Sequence, residues 1–114
     1  MSQTFENLES WKTAEILTVE IYKIFKESKD YSFKDQIQRA SLSIMNNIAE
    51  WYERSSHLDK KRFIIIAKWS CAEVRSMLHI WYKLGYFSEE TYKQLLEYVL
   101  SIWRMLYWLI QKLI

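Results

Sequence analysis

The sequence predicts an all-α fold, an antiparallel up-down four-helix bundle built as a single domain over residues 1–114. Three observations predict it. There is one Gly and no Pro in 114 residues, so the turn residues that sheets and long loops need at many places are missing. Four segments repeat apolar residues at helical spacing. The polar breaks between those segments are short, which makes consecutive helices antiparallel neighbours. A chain of this length also suits one domain around one core.

The first helix is expected over residues 8–27, with Asn7 as its N-cap. Ala14, Leu17, Ile21 and Ile24 form one apolar stripe, and the polar run KESKDYS ends it. The second helix is expected over residues 33–54. Ser32 and Asp35 have capping-box spacing, in which the hydroxyl accepts from the third amide and the acid reaches back. Its core face reads Ile37, Ala40 or Ser41, Ile44, Ile48 and then Trp51, where a modest apolar residue would serve. Asp35–Arg39 and Glu50–Arg54 are acid-before-base pairs at i,i+4. Asn46 is expected to face outward. Asn47, beside Ile44 and Ile48, is expected partly buried, as a satisfied polar residue that fixes helix register.

The third helix is expected over residues 58–84, with Ser56 and Asp59 repeating the capping-box spacing. Phe63, Ala67, Ser70, Val74, Met77, Trp81 and Leu84 form its inward stripe, and Gly85, directly after, is the expected left-handed terminator. The fourth helix opens at Ser88, with Glu89 and Glu90 in its electropositive first turn. Leu96, Val99, Trp103, Leu106, Ile110 and Leu113 are expected to face inward.

Composition bears on function. Six Trp, eight Tyr and five Phe are more rings than one small bundle hides. Exposed apolar patches mark partner surfaces, so a homo-oligomer with aromatic side chains at its contacts is expected. A net charge of +2 permits nucleic-acid binding without demanding it. One Cys excludes an internal disulfide and fits a reducing cytoplasm. The start, MSQTFENLES, has no signal pattern, and the apolar runs FIIIA and MLYWLI are too short to span a bilayer. A soluble cytoplasmic protein with no membrane partner follows.

No residue set for catalysis is found. Cys71 has no His near it in sequence and reads as a buried inert thiol. His57 and His79 lack metal-ligand spacing, so no metal site is assigned. Glu50 with Glu53, and Glu89 with Glu90, read as solvated charge. A single glycine excludes a glycine-rich phosphate loop. The expectation is no catalytic residue, no cofactor and no enzyme. One basic feature has geometry behind it. Lys61, Lys68 and Arg75 recur every seven residues, on one line about 10 Å apart, and Arg54, Lys60 and Arg62 cluster near its start. That ladder either tracks phosphates or is a solvated face shared with Asp59 and Glu73, and a ring of copies would multiply it.

The segments FENLESWKTA, QIQRASLSI, NNIAE, YERSS, IAKWS, LGYFSEE and RMLYWLIQKL resemble, in order and over nearly the whole chain, the four-helix-bundle family of 23S rRNA intervening-sequence proteins, often labelled S23 ribosomal proteins. The resemblance implies a bacterial cytoplasmic bundle that assembles into homopentamers. It also implies relatives that serve diversity-generating retroelements as accessory variability proteins, as basic pentamers that bind nucleic acid and a partner reverse transcriptase. On the spacing argument above, Arg54, Lys61, Arg62, Lys68 and Arg75 are the nucleic-acid-binding candidates.

The departures from that family are specific. Its pattern reads NIAEG, IAxGS and RMLxGL, whereas Trp51, Trp69 and Trp108 stand at the glycines here. A mid-helix Gly costs up to about 1 kcal/mol against Ala, so close packing is the reason to keep one. Adding bulk to a packed site costs about 1–3 kcal/mol. Two readings stand. The chain is an engineered variant whose tryptophans fill space or build an interface for self-assembly or a partner, or it is a natural sequence whose groove or seam is wider at these positions. On either reading Trp51, Trp81 and Trp103 are expected to be mostly intramolecular, and Trp69 and Trp108 at least partly intermolecular.

Overall fold

The structure, a computed structural model, describes residues 4–113, with Leu113 described by its backbone alone. The inward side chain expected of Leu113 and the first residues of the MSQTFENLES segment therefore lie outside the described residues. A single 3-10 turn, Phe5–Asn7, leads into four helices: α1 Glu9–Phe25, α2 Tyr31–Glu53, α3 His57–Lys83 and α4 Glu89–Leu113. Each helix packs on its two neighbours in a closed order, α1 on α2 and α4, α3 on α2 and α4, and the backbones of the diagonal pairs stay apart.

Ring contacts give the direction of each helix. Phe25 at the end of α1 lies 4.9 Å from Trp81 near the end of α3, and Phe33 in the first turn of α2 stacks on Trp81 at 4.5 Å. Tyr82 and Tyr92 stack face to face at 4.5 Å, joining the end of α3 to the start of α4. The ends of α1 and α3 thus share one end of the molecule with the starts of α2 and α4. That is the up-down-up-down four-helix bundle the sequence predicts. Its long dimension of 43 Å matches the roughly 40 Å of a helix the length of α3.

The helix ends correct two expectations and support others. Asn7 does not cap α1; it belongs to the 3-10 turn, and Leu8 stands at the cap in extended conformation with no side-chain bond. Leu8 packs against the core, so apolar anchoring rather than an oxygen sets the entry of α1. Helix α2 starts earlier than expected because Asp30, not Ser32, accepts from the Phe33 amide at 3.2 Å. Ser32 and Asp35 are then inside the helix, and Asp35 pairs with Arg39 at 2.9 Å. Ser56 caps α3 as expected, accepting from the Asp59 amide at 3.4 Å, and Ser88 accepts from the Thr91 amide at 3.1 Å. Gly85, at φ +78°, ends α3. The Gly85 amide donates to the Tyr82 carbonyl at 2.9 Å and the Tyr86 amide to the Trp81 carbonyl at 3.2 Å, the paired bonds of a Schellman terminus.

The inward stripes of α3 and α4 keep Ala67, Ser70, Val74 and Trp81, and Val99, Leu106 and Ile110, as expected but depart from the rest, and that of α1 differs at its end. On α2, Ile37, Ala40, Ser41, Ile44 and Ile48 are buried as read. On α1, Ala14, Leu17 and Ile21 are buried, but Phe25 closes the stripe and Ile24 is exposed. On α3 the buried line is Ile64, Ala67, Ser70, Cys71, Val74, Leu78 and Trp81. Phe63 and Met77 are half-buried, and Leu84 is exposed. On α4, Leu95, Val99, Ile102, Leu106 and Ile110 are buried, while Leu96 and Trp103 are half-buried. The run Phe63–Ile64–Ile65–Ile66 explains the error in α3. Four large apolar residues in a row fit either phase of the repeat, and periodicity does not choose between them.

Polar groups pin the seams. Thr18 on α1 donates to the Ala14 carbonyl at 2.8 Å and to the Ser41 carbonyl of α2 at 3.3 Å. Ser70 on α3 donates to the Ser43 hydroxyl of α2 at 2.8 Å, and Asn47 donates to the Ser43 carbonyl at 2.7 Å and its hydroxyl at 3.0 Å. Asn47 is thus half-buried and satisfied, as expected. Ile44, fully buried in the same stretch, gives the test of the α2 face. Ile44→Ala should lower stability by about 2–5 kcal/mol in urea unfolding, and a loss below about 0.5 kcal/mol would contradict the packing described.

Candidate functional site

The five cations expected to meet phosphates separate into two groups. Arg54 ends α2 and Arg62 lies in the first turns of α3; their guanidinium carbons sit over the Phe63 ring, each at 5.0 Å. Both have acid partners, Arg54 with Glu50 at 2.8 Å and Arg62 with Asp59 at 3.7 Å. Lys61, Lys68 and Arg75 run along the α4-facing edge of α3. Arg75 is exposed, but Lys61 and Lys68 are half-buried rather than exposed. Lys68 reaches across to α4, where its ammonium lies 5.1 Å from the Trp103 ring centre and 5.5 Å from that of Tyr107. The reason is α3's rotation: with Ile64 and Cys71 inward, this line turns toward the α4 seam and its aromatic rings. None of the three has a carboxylate partner among the described residues.

The tryptophans divide by exposure. Trp81 is buried, and Trp51 and Trp103 are half-buried against the core. Trp69 and Trp108 are 65% and 66% exposed. Trp69 follows from the same rotation, lying two residues from buried Cys71 and so on the opposite side of α3. With Leu58, Ile65 and Ile66 it lines an open groove of about 730 Å³ on the outer face, rimmed by Lys61 and Arg62. Sequence reading missed the outward aliphatics Ile16, Val19 and Ile80, all exposed; their positions off the inward stripes were the signal that would have found them.

Groups suited to chemistry are few. Cys71 is buried, and burial pushes its thiol up to about 12, which keeps it a protonated, inert side chain. Among the described residues no three His, Cys, Asp or Glu side chains gather as metal ligands. No described helix is long and apolar enough to cross a membrane.

These features define a class: a small antiparallel helical bundle with a dry aliphatic core and an outer surface of aromatic and basic side chains. Within that class the chain belongs to the 23S rRNA-intervening sequence protein family, whose model matches residues 6–108. It is also similar to a crystal structure from Bacteroides thetaiotaomicron, a protein of unknown function from the S23 ribosomal protein family. The two are 25% identical, the match covers 89% of this chain and 97% of that one, and the TM-score is 0.83. No protein with a curated description matches.

Trp51 shows how a large ring is accommodated at the end of α2. Its ring packs against the core at the end of α2. Lys60, from the first turn of α3, places its ammonium 5.4 Å from the ring centre and donates to the Trp51 carbonyl at 3.0 Å. A cation thus closes the α2–α3 corner over the electronegative end of α2. The indole Nε1, however, is buried with no hydrogen-bond partner, a state that costs about 1–3 kcal/mol. Trp51→Phe removes the orphan donor and keeps a ring for Lys60. Its stability in urea should equal or exceed that of the native chain, and a loss above about 1 kcal/mol would show that the indole's extra packing outweighs its stranded N–H.

Proposed function

We propose that this chain is a non-enzymatic assembly module of the cytoplasm, a helical bundle that works as a homo-oligomer. The carrying observation is the two-thirds exposure of Trp69 and Trp108. Large rings left in water forgo about 25 cal/mol for each Å² of apolar surface they could bury, and a tryptophan anchored at an interface contributes about 2 kcal/mol or more to binding. The family resemblance makes a pentamer the state to test. In sedimentation equilibrium the native chain should have a mass well above one subunit. Trp69→Gln with Trp108→Gln should shift it to smaller species with unchanged helix content. A native chain that sediments as a monomer at tens of micromolar would end this reading.

Nucleic-acid binding is a second reading, and the edge formed by Lys61, Lys68 and Arg75 favours it. Three cations on one line, none ion-paired to a carboxylate among the described residues, match the pattern needed to follow a phosphate backbone. Such an edge, repeated in an oligomer, is also the surface a reverse transcriptase carrying nucleic acid would meet. Binding of unrelated RNA sequences should weaken steeply with salt. Changing all three cations to Gln should flatten the slope by about 0.7–0.9 for each phosphate that is no longer neutralised. No binding at low salt, or an unchanged slope in the triple variant, would leave these residues as solubilising charge.

A further inference from the structure

The outward apolar side chains are not spread evenly over the four helices. On α1, Ile16 and Val19 are 46% and 45% exposed; on α3, Leu58, Trp69 and Ile80 are exposed. Tyr31, at its very start, is the only large hydrophobic exposed on α2, and α4 exposes Tyr107 and Trp108 near its end. Helices α1 and α3 are a diagonal pair whose backbones stay apart. Their outward faces therefore point in opposite directions.

We propose that these two faces are the complementary halves of one contact between copies of this chain. The outward face of α1, with Ile16 and Val19, covers the outward face of α3, with Trp69, on the next copy. The proposal rests on the assembly reading above and names its geometry. Two further observations support it. The first is level. The Phe25–Trp81 contact across the core fixes α1 against α3, and the two helices run parallel. Ile16, nine residues before Phe25, is level with Ala72, nine residues before Trp81, to within about a turn. A neighbour related by rotation about an axis along the bundle therefore brings Ile16 and Val19 between Trp69 and Ile80 with no sliding.

The second is charge. The α3 face is rimmed by Lys61, Arg62, Lys68 and Arg75 against Asp59 and Glu73. Folding this face onto its own copy, as a two-fold dimer requires, would set that excess of cations against itself. Glu15 and Glu20 flank Ile16 and Val19 on α1 and have no ion-pair partner among the described residues. Of the cations on the same face, Lys12 is already paired with Glu9 at 3.8 Å and Lys23 lies one turn beyond Val19; on α3, Arg62 is already paired with Asp59. The unpaired acids of α1 therefore outnumber its one unpaired cation, while Lys61, Lys68 and Arg75 outnumber Glu73 on α3. The acids of α1 meet the cations of α3 only in the head-to-tail arrangement. Unlike faces in contact generate a ring when the rotation closes and a filament when it does not.

Cysteines at Val19 and Ser76, both exposed, test this, since the native Cys71 is buried. Within one chain these positions lie on opposite outer faces with the core between them, so a short link between them joins two copies. The Val19→Cys, Ser76→Cys double variant, treated with a short bis-maleimide, should give a ladder of covalent multimers on a denaturing gel. Each single variant should stay at one subunit, and an equal mixture of the two should give covalent dimers. Covalent dimers from Ser76→Cys alone would show α3 against α3 and overturn the proposal while leaving assembly intact. No link in any variant, with the native oligomer still present in sedimentation, would also overturn the proposal alone. A monomeric native chain would remove both.

Discussion

The rotation of α3 about its own axis is the constraint on which the rest of the surface depends. Burying Ile64, Ala67, Cys71, Val74, Leu78 and Trp81 fixes that rotation, because six side chains at heptad-like spacing occupy one face only. Each buried aliphatic contributes about 1.5–3 kcal/mol of transfer free energy, so turning the helix by one residue would forfeit more than any surface contact returns. Everything outside follows from that choice. Trp69 is thrown to the far side, Lys68 is brought over the Trp103 and Tyr107 rings, and Arg62 shares Phe63 with Arg54. The outer pattern of cations and rings is the shadow of the inner aliphatic line.

Hydrophobic burial alone is not directional, and the short polar links supply the direction. Ser43 stands at the centre: it accepts from Ser70 across the α2–α3 seam and from Asn47 one turn along its own helix. Thr18 does the same between α1 and α2 by reaching the Ser41 carbonyl. Each such bond adds only about 0.5–1.5 kcal/mol. A helix slipped along its axis, however, would part the Ser70 hydroxyl from Ser43 and Thr18 from the Ser41 carbonyl, and the loss of those cross-helix bonds favours one register. Small side chains make the links possible, since Ser on both helices lets the backbones come close. At the far end the stacked cluster of Phe25, Phe33 and Trp81 closes the bundle where three chain segments meet.

What the sequence made legible was the part that depends on spacing and punctuation. Helix number, the antiparallel order, the α2 stripe, the Ser56 cap and the Gly85 terminus all follow from local chemistry. The stripes of α3 and α4 followed only in part: Ala67, Ser70, Val74, Trp81, Val99, Leu106 and Ile110 are buried as read, whereas Ile64, Cys71 and Leu78 are buried where Phe63 and Met77 were expected, because Phe63 to Ile66 are equally apolar and fit either phase. The cap of α2 was misplaced because Asp30 and Ser32 are both good caps two residues apart, and only the path of the preceding loop decides between them. Of the candidate surface, the exposure of Trp69 and Trp108 was visible from their place off the inward stripes. The partial burial of Lys68 was not, since it arises from rings on another helix. The aliphatic face of α1 was hidden by attention to inward residues alone.

The commitments of the cations connect the two functional readings. Arg54 and Arg62 are held by Glu50 and Asp59, and Lys68 lies over two rings, so of the five candidate cations only Lys61 and Arg75 are without an ion pair or ring contact among the described residues. Three phosphate contacts would give weak binding that physiological salt largely removes. Assembly changes that arithmetic without new chemistry. Copies in a closed array hold equivalent edges at fixed spacing, so that after one edge engages a strand the others act at high effective concentration. The apolar faces are therefore the prior requirement. If the proposed assembly forms, a mildly basic subunit gains an effective polyanion-binding surface through its oligomer, and the aliphatic and tryptophan side chains proposed to build that oligomer set how many edges a single strand reaches.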